Sequence, residues 1–231
     1  MNGRARSSWQ SRAASTCGVV AITSFAILHL VMAPQVDPLR QPVSSYALTG
    51  PGVVIFPLGA LALAAACAIL AVTGAGVARQ HFIRWPLAIA AVMLVLVVVF
   101  RTDSTESVSS MAGEIHRWSA GAAFGLLTAA ALATAWQSKT AGLGRWPTRL
   151  TIASLGLLLI IVANTFMPTL ADGDAWRGLP QRLLLAVQSS FVIVLALAAR
   201  TGRVPRAVGS PVRDRAPIIN TAPHANWTLW T

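Results

Sequence analysis

Pro51–Val77 reads PGVVIFPLGALALAAACAILAVTGAGV, an apolar run without one charged side chain. A helix of about 20 apolar residues reaches across the hydrocarbon core of a bilayer, so this segment alone points to a membrane. Outward from it lie five more runs, Cys17–Met32, Trp85–Phe100, Trp118–Trp136, Leu150–Met167 and Leu183–Ala199. The expected fold is all-α: a polytopic membrane bundle of six transmembrane helices. It divides into an N-terminal segment 1–15, a six-helix domain 16–200 and a disordered basic tail 201–231. With 55% apolar residues in 231 positions and a mean hydropathy of +0.64, little chain remains for a separate soluble domain.

The charges orient the bundle. With the N-terminus in the cytoplasm, 13 of the 18 basic residues fall on cytoplasmic segments, and only Arg40, Arg101, Arg117, Arg177 and Arg182 fall outside. Asp37, Asp103, Glu106, Glu114, Asp172 and Asp174 then lie outside and Asp214 alone inside. This positive-inside bias predicts both termini in the cytoplasm and a multi-pass protein of the cell membrane. A net charge of +11 would otherwise suggest nucleic acid. Here the basic residues are split among segments separated by spanning helices, which serves orientation and contact with membrane lipid instead.

Other features agree with that frame. Trp85, Trp118, Trp136, Trp146 and Trp176 all fall near expected membrane surfaces, where amphipathic rings favour the headgroup layer. Cys17 and Cys67 lie in apolar runs, so a structural disulfide is not expected. The first run resembles a secretory signal, but Pro34 follows its only plausible cleavage site and predicts retention. Small residues on the second helix (Ala60, Ala62, Ala64, Ala65, Ala66) and Gly121 with Gly125 on the fourth are expected to mark tight helix contacts. The halves of the chain show no convincing internal repeat, which weakens an inverted-repeat transporter reading.

Polar side chains within the runs gather toward the outer surface. His29, Asn164 and Gln188 all lie in the outer half, below loops that carry Asp37, Ser44, Ser45, Tyr46, Arg101, Asp103 and His116. Amide and ionisable groups are costly in hydrocarbon, so they should face the bundle or a wet cavity. The arrangement predicts an outward-facing polar pocket. Its chemical candidates are His116, Asp103 and His29, because a carboxylate beside an imidazole raises its basicity and sets its tautomer. Arg101, Asp37, Ser45, Tyr46, Asn164 and Gln188 are the expected ligand-binding groups, with Arg101 placed to meet a lipid headgroup. Two histidines and an aspartate could also hold zinc or iron, but Asp103-x12-His116 matches no metal motif, so neither metal nor cofactor is expected. The plainer alternative is a hydrogen-bonded, ion-paired network that pins the outer loops.

The order of these residues is familiar. His29 late in the first helix, Val43-Ser44-Ser45-Tyr46-Ala47-Leu48-Thr49-Gly50 in the loop, Phe100-Arg101-Thr102-Asp103 after the third helix and Gly113-Glu114-Ile115-His116 opening the fourth together resemble the bacterial membrane family catalogued as domain of unknown function 998. The resemblance covers about Val19–Ala199. It implies a six-helix membrane protein with characteristic polar positions at His29, Ser45, Tyr46, Asp103 and His116, and it supplies no reaction. Many members have a Phe-Pro-x-Asp turn where this chain has Phe100-Arg101-Thr102-Asp103.

The function expected from the residues is binding of a lipid or amphipathic small molecule, with Asp/His acid–base chemistry on it. The alternative is a non-enzymatic interaction or assembly protein that presents the Pro34–Gly50 loop to a membrane partner. A small transporter ranks lower, since the inner half offers only hydroxyls such as Thr23, Ser24 and Ser154, which commonly bond back to their own helix.

Overall fold

Six helices account for the apolar runs: α1 Gly3–Met32, α2 Gly52–Thr73, α3 His81–Val99, α4 Met111–Ala141, α5 Trp146–Phe166 and α6 Gly178–Arg200, with a short 3-10 helix at Val43–Leu48. They come from a computed structural model that describes residues 3–73, 81–104, 109–141, 145–167 and 177–200. All six helices are long and apolar enough to cross a membrane, and among the described residues there is no strand. The protein is a multi-pass membrane protein. The expected basic tail 201–231 lies outside the described residues, as do Arg79, Glu106, Asp172, Asp174 and Trp176.

Five helices begin earlier than their apolar runs, two of them by seven residues or more. α1 starts at Gly3, so the segment expected as a separate polar N-terminus is its first turns. α4 starts at Met111 and carries Glu114, His116 and Arg117 before the run at Trp118. Arginine and glutamate are good helix formers, and a helix leaving the bilayer has no further need of apolar residues.

Each helix packs against its neighbours in sequence, and α6 returns to α1, closing a ring; α6 also touches α2 and α4. The end where α1, α3 and α5 finish and α2, α4 and α6 begin is called the histidine end below. The core is mostly apolar, with Leu28, Leu63, Leu70, Leu87, Leu127, Leu184, Phe191 and Leu195 fully buried. The outside is equally apolar: Leu30, Val54, Val99, Ile152 and Phe166 are exposed, as are Trp85, Trp118 and Trp136. That surface suits a lipid solvent, in which helices associate through close packing and a few polar ties.

Such ties are visible among the described residues. Ser11 Oγ donates to Ala196 O at 2.5 Å, joining α1 to the last turns of α6. Arg84 Nε donates to Ala71 O at 2.5 Å, so a cation on α3 covers carbonyls at the C-terminal end of α2, where the helix dipole favours it. Gln188 Nε2 donates to Phe124 O at 2.8 Å and Thr128 Oγ1 at 3.2 Å, tying α6 to α4. Most buried threonines return their hydroxyls to the preceding helical turn, as Thr128, Thr134 and Thr151 do. Ser154 departs from the expectation, since its buried hydroxyl has no partner among the described residues.

The small residues divide into two groups. Ala60, Ala64 and Ala66 are buried, and Gly59 lies so close to α1 that a Cβ there would meet Ser24 Cβ at 3.0 Å and the Phe25 ring at 3.1 Å. Gly121 and Gly125 correct the expectation: a Cβ on either meets nothing within 4 Å, so among the described residues no helix packs on that face of α4. The GxxxG spacing is present without a partner helix inside the fold. Gly59→Ala is therefore expected to lower stability by about 1–3 kcal/mol through overpacking. Gly125→Ala should leave it unchanged or raise it by up to about 1 kcal/mol through helix propensity. Thermal unfolding of the two variants in mild detergent checks the contrast.

Candidate functional site

His116 is the most informative side chain at the histidine end. It sits one turn after Gly113 on α4, is 4% exposed, and packs on Phe56 of α2 with ring centroids 6.5 Å apart. Its Nδ1 lies 2.9 Å from both Val97 O and Phe100 O, the carbonyls that end α3. Both are acceptors only, so Nδ1 carries the proton and donates. This covers carbonyls that a terminating helix leaves without partners, and it fixes the tautomer with Nε2 as the free ring position.

Asp103 stands on the same α3–α4 connection but has other partners. Ser110 Oγ donates to its Oδ1 at 2.6 Å and Ser110 N–H to its Oδ2 at 3.2 Å, while the same Oγ accepts from Gly113 N–H at 3.0 Å. Ser110 is thus the N-cap of α4, with Asp103 bracing the cap. A Cβ on Gly113 would collide with the Asp103 carboxylate, which explains why glycine stands there. Arg117 pairs with Glu114 at 2.7 Å and lies 3.8 Å from Asp103. The Ser110 hydroxyl first, then its N–H and the charges of Arg117 and His116, outweigh partial burial and hold the Asp103 carboxyl below the usual carboxylate range. Among the described residues no hydrogen bond joins Asp103 to His116.

His29 is turned away from both. It is exposed near the end of α1, and its Nδ1 lies 3.5 Å from the Tyr46 hydroxyl. Tyr46 is 1% exposed and lies under the Arg182 guanidinium, 5.1 Å from the ring centroid. Arg182 Nη1 donates to Pro38 O at 2.8 Å and Gln41 O at 2.7 Å, Gln181 Oε1 accepts from Val43 N–H at 2.9 Å, and Leu39 O accepts from the N–H groups of Gly178 and Leu179. The Pro34–Gly50 loop is therefore latched onto the first turn of α6. Asp37 braces it from within, accepting from Leu39 N–H at 2.9 Å, and Ser45 sits in the 3-10 helix. Sequence reasoning passed over Gln181 and Arg182. Their signal was a polar pair at the start of a helix, whose free N–H groups attract partners.

Two cavities meet at His116. The larger, about 270 Å³, opens between the start of α2 and the end of α3; Val53, Phe56, Pro57, Val97, Val98 and Val99 wall it, and Arg101, Thr102 and His116 supply its polar edge. The smaller, about 50 Å³, lies inside the ring beside Ser44, Gln181 and Phe124 and shares Phe56, Val97 and His116 with the first. Of the expected site residues, the structure brings His116 and Arg101 into one cleft. Asp103, His29, Asp37, Ser45 and Tyr46 line neither cavity, nor do Asn164, buried on α5, and Gln188, deeper in the core. Among the described residues no three His, Cys, Asp or Glu side chains converge as a metal site.

A closed ring of six apolar helices, with an imidazole and a guanidinium at a cleft between two of them, defines a helical integral membrane protein. Residues 15–198 match the model of a family described as a protein of unknown function, DUF998, and the chain belongs to that family. No curated protein and no solved structure matches the chain.

Ser110→Ala should lower stability by about 1 kcal/mol, the usual cost of a lost N-cap. Because the Asp103 carboxyl is held below its ordinary value, its contribution is present at neutral pH and is lost as pH falls through the folded-state value. The melting temperature should accordingly drop on acidification below about pH 4. Asp103→Asn should lower the neutral value and flatten that acid limb, measured by thermal melts across pH.

Proposed function

We propose that the protein receives the polar end of a lipid or amphipathic small molecule in the cleft between α2 and α3, from the outer leaflet of the cell membrane. The observation that carries this reading is the cleft itself, where apolar walls and a polar edge meet in one volume. Below it, exposed Val92, Val95 and Val99 on α3 and Val54, Leu58 and Leu61 on α2 offer tracks at helical spacing. A tail left in lipid would run along them while the head reaches His116 and Arg101. The outward sidedness rests on the asymmetric distribution of arginine.

The same geometry equips His116 to take a proton from a bound head. Main-chain carbonyls, rather than a carboxylate, orient the ring, and Nε2 is the basic atom. Asp103 braces the Ser110 cap of the helix from which His116 projects. Asp103 thus supports His116 without a direct bond. His29 stands outside this chemistry and, with Tyr46, positions the loop.

A photoactivatable, alkyne-tagged phospholipid incorporated into membranes should crosslink mainly to Val53–Pro57 and Val97–Thr102. His116→Asn, which keeps an N–H donor for Val97 O and Phe100 O and removes the Nε2 lone pair, should reduce capture there several-fold with membrane abundance maintained. Crosslinks spread evenly over the exposed faces of α1 and α5, or loss of abundance parallel to loss of capture, would overturn the reading and favour a purely structural role for His116.

A further inference from the structure

We infer that the cleft selects an anionic lipid head in which a phosphodiester is followed by a free hydroxyl group, as in a glycerol head. This rests on the proposed amphiphile-binding cleft and names the chemistry that it would read.

The donors and acceptors along the cleft are of two kinds. Arg101 is exposed at its rim, and no carboxylate among the described residues pairs with it. A guanidinium is a planar fork that matches a phosphate. Thr102 beside it adds a hydroxyl. Deeper in, the cleft offers acceptors. Because His116 Nδ1 is committed as donor to two carbonyls, the neutral ring leaves only the Nε2 lone pair, which has no partner among the described residues. Pro57 supplies the second acceptor. It lies inside α2 and has no N–H, so the Val53 carbonyl one turn earlier loses its usual helical donor, and both residues line the cleft.

A head that satisfies both kinds must bring an anion to the rim and a hydrogen-bond donor inward. A phosphodiester with a hydroxyl beyond it does so. A choline head places a cation near Arg101 and has no donor for His116 or Val53. An ethanolamine head has donors but carries a compensating positive charge. The volume of about 270 Å³ is below the range typical of pockets that enclose a drug-sized ligand, so it takes a head and leaves the acyl chains outside.

The test compares lipid retention by native mass spectrometry after purification from nanodiscs that hold phosphatidylcholine with equal fractions of phosphatidylglycerol and phosphatidylethanolamine. Phosphatidylglycerol should be retained about tenfold over the other two, the scale of one charge-assisted hydrogen bond. Arg101→Gln, an exposed position that leaves the core intact, should remove most of that preference. Val99→Trp, exposed and on the cleft wall, should lower retention of every lipid. Free glycerol 1-phosphate or inorganic phosphate that displaces the lipid would assign the site to a soluble phosphate rather than a lipid head and would overturn the inference. Equal retention of the three lipids, still lost in Val99→Trp, would refute the head selectivity while leaving the amphiphile cleft standing. Retention insensitive to Val99→Trp would remove the cleft itself.

Discussion

The carbonyls that end α3 must find partners at the edge of an apolar medium, and His116 reaching back from α4 provides them. Water is scarce there and an unpaired carbonyl is costly. One side chain therefore joins the exit of one helix to the entry of the next. Its ring lies against Phe56 of α2, so three helices are held in register at a single point. The cleft lies at this point, with Val53, Phe56 and Val97 in its walls and the imidazole at its polar edge.

The α3–α4 connection repeats the same physics with the opposite sign. α4 begins with N–H groups that lack helical acceptors, and Ser110, braced by Asp103, supplies one. The Gly-Glu-Ile-His stretch that opens α4 can now be read residue by residue. Gly113 leaves room for a carboxylate, Glu114 receives Ser109 and Arg117, and His116 turns inward one turn later. The resemblance to the family followed from the letters, and Gly113, Glu114 and His116 each have a steric or hydrogen-bonding reason.

The length of the apolar runs made the six spans readable, since a run such as Pro51–Val77 has few alternatives in water or in lipid. Helix starts were less accessible because hydropathy does not register the Arg-rich turns of α1 or the polar opening of α4. His116 and Arg101 shared an expected mouth and do share a cleft. Asp103 was expected to orient His116 because the residue types suit that role, yet its carboxylate points to Ser110. That choice depends on the rotation of α4 about its axis, which packing sets and sequence spacing does not reveal. The same rotation turns Gly121 and Gly125 outward, although their spacing suggested an internal contact. His29 shows the limit from another direction: depth along a helix was legible, but the face was not.

The latch between the Pro34–Gly50 loop and the first turn of α6 links the start of the chain to its end. Leu39, Val43 and Tyr46 emerge from the ribosome long before Gly178, Gln181 and Arg182, and Ser11 waits for Ala196 at the other rim. Until the sixth helix is inserted, the growing chain is an open arc whose first helix has an uncovered flank. The ring thus closes in a single event, and a nascent chain that stalls before it would expose unmet polar groups at both rims.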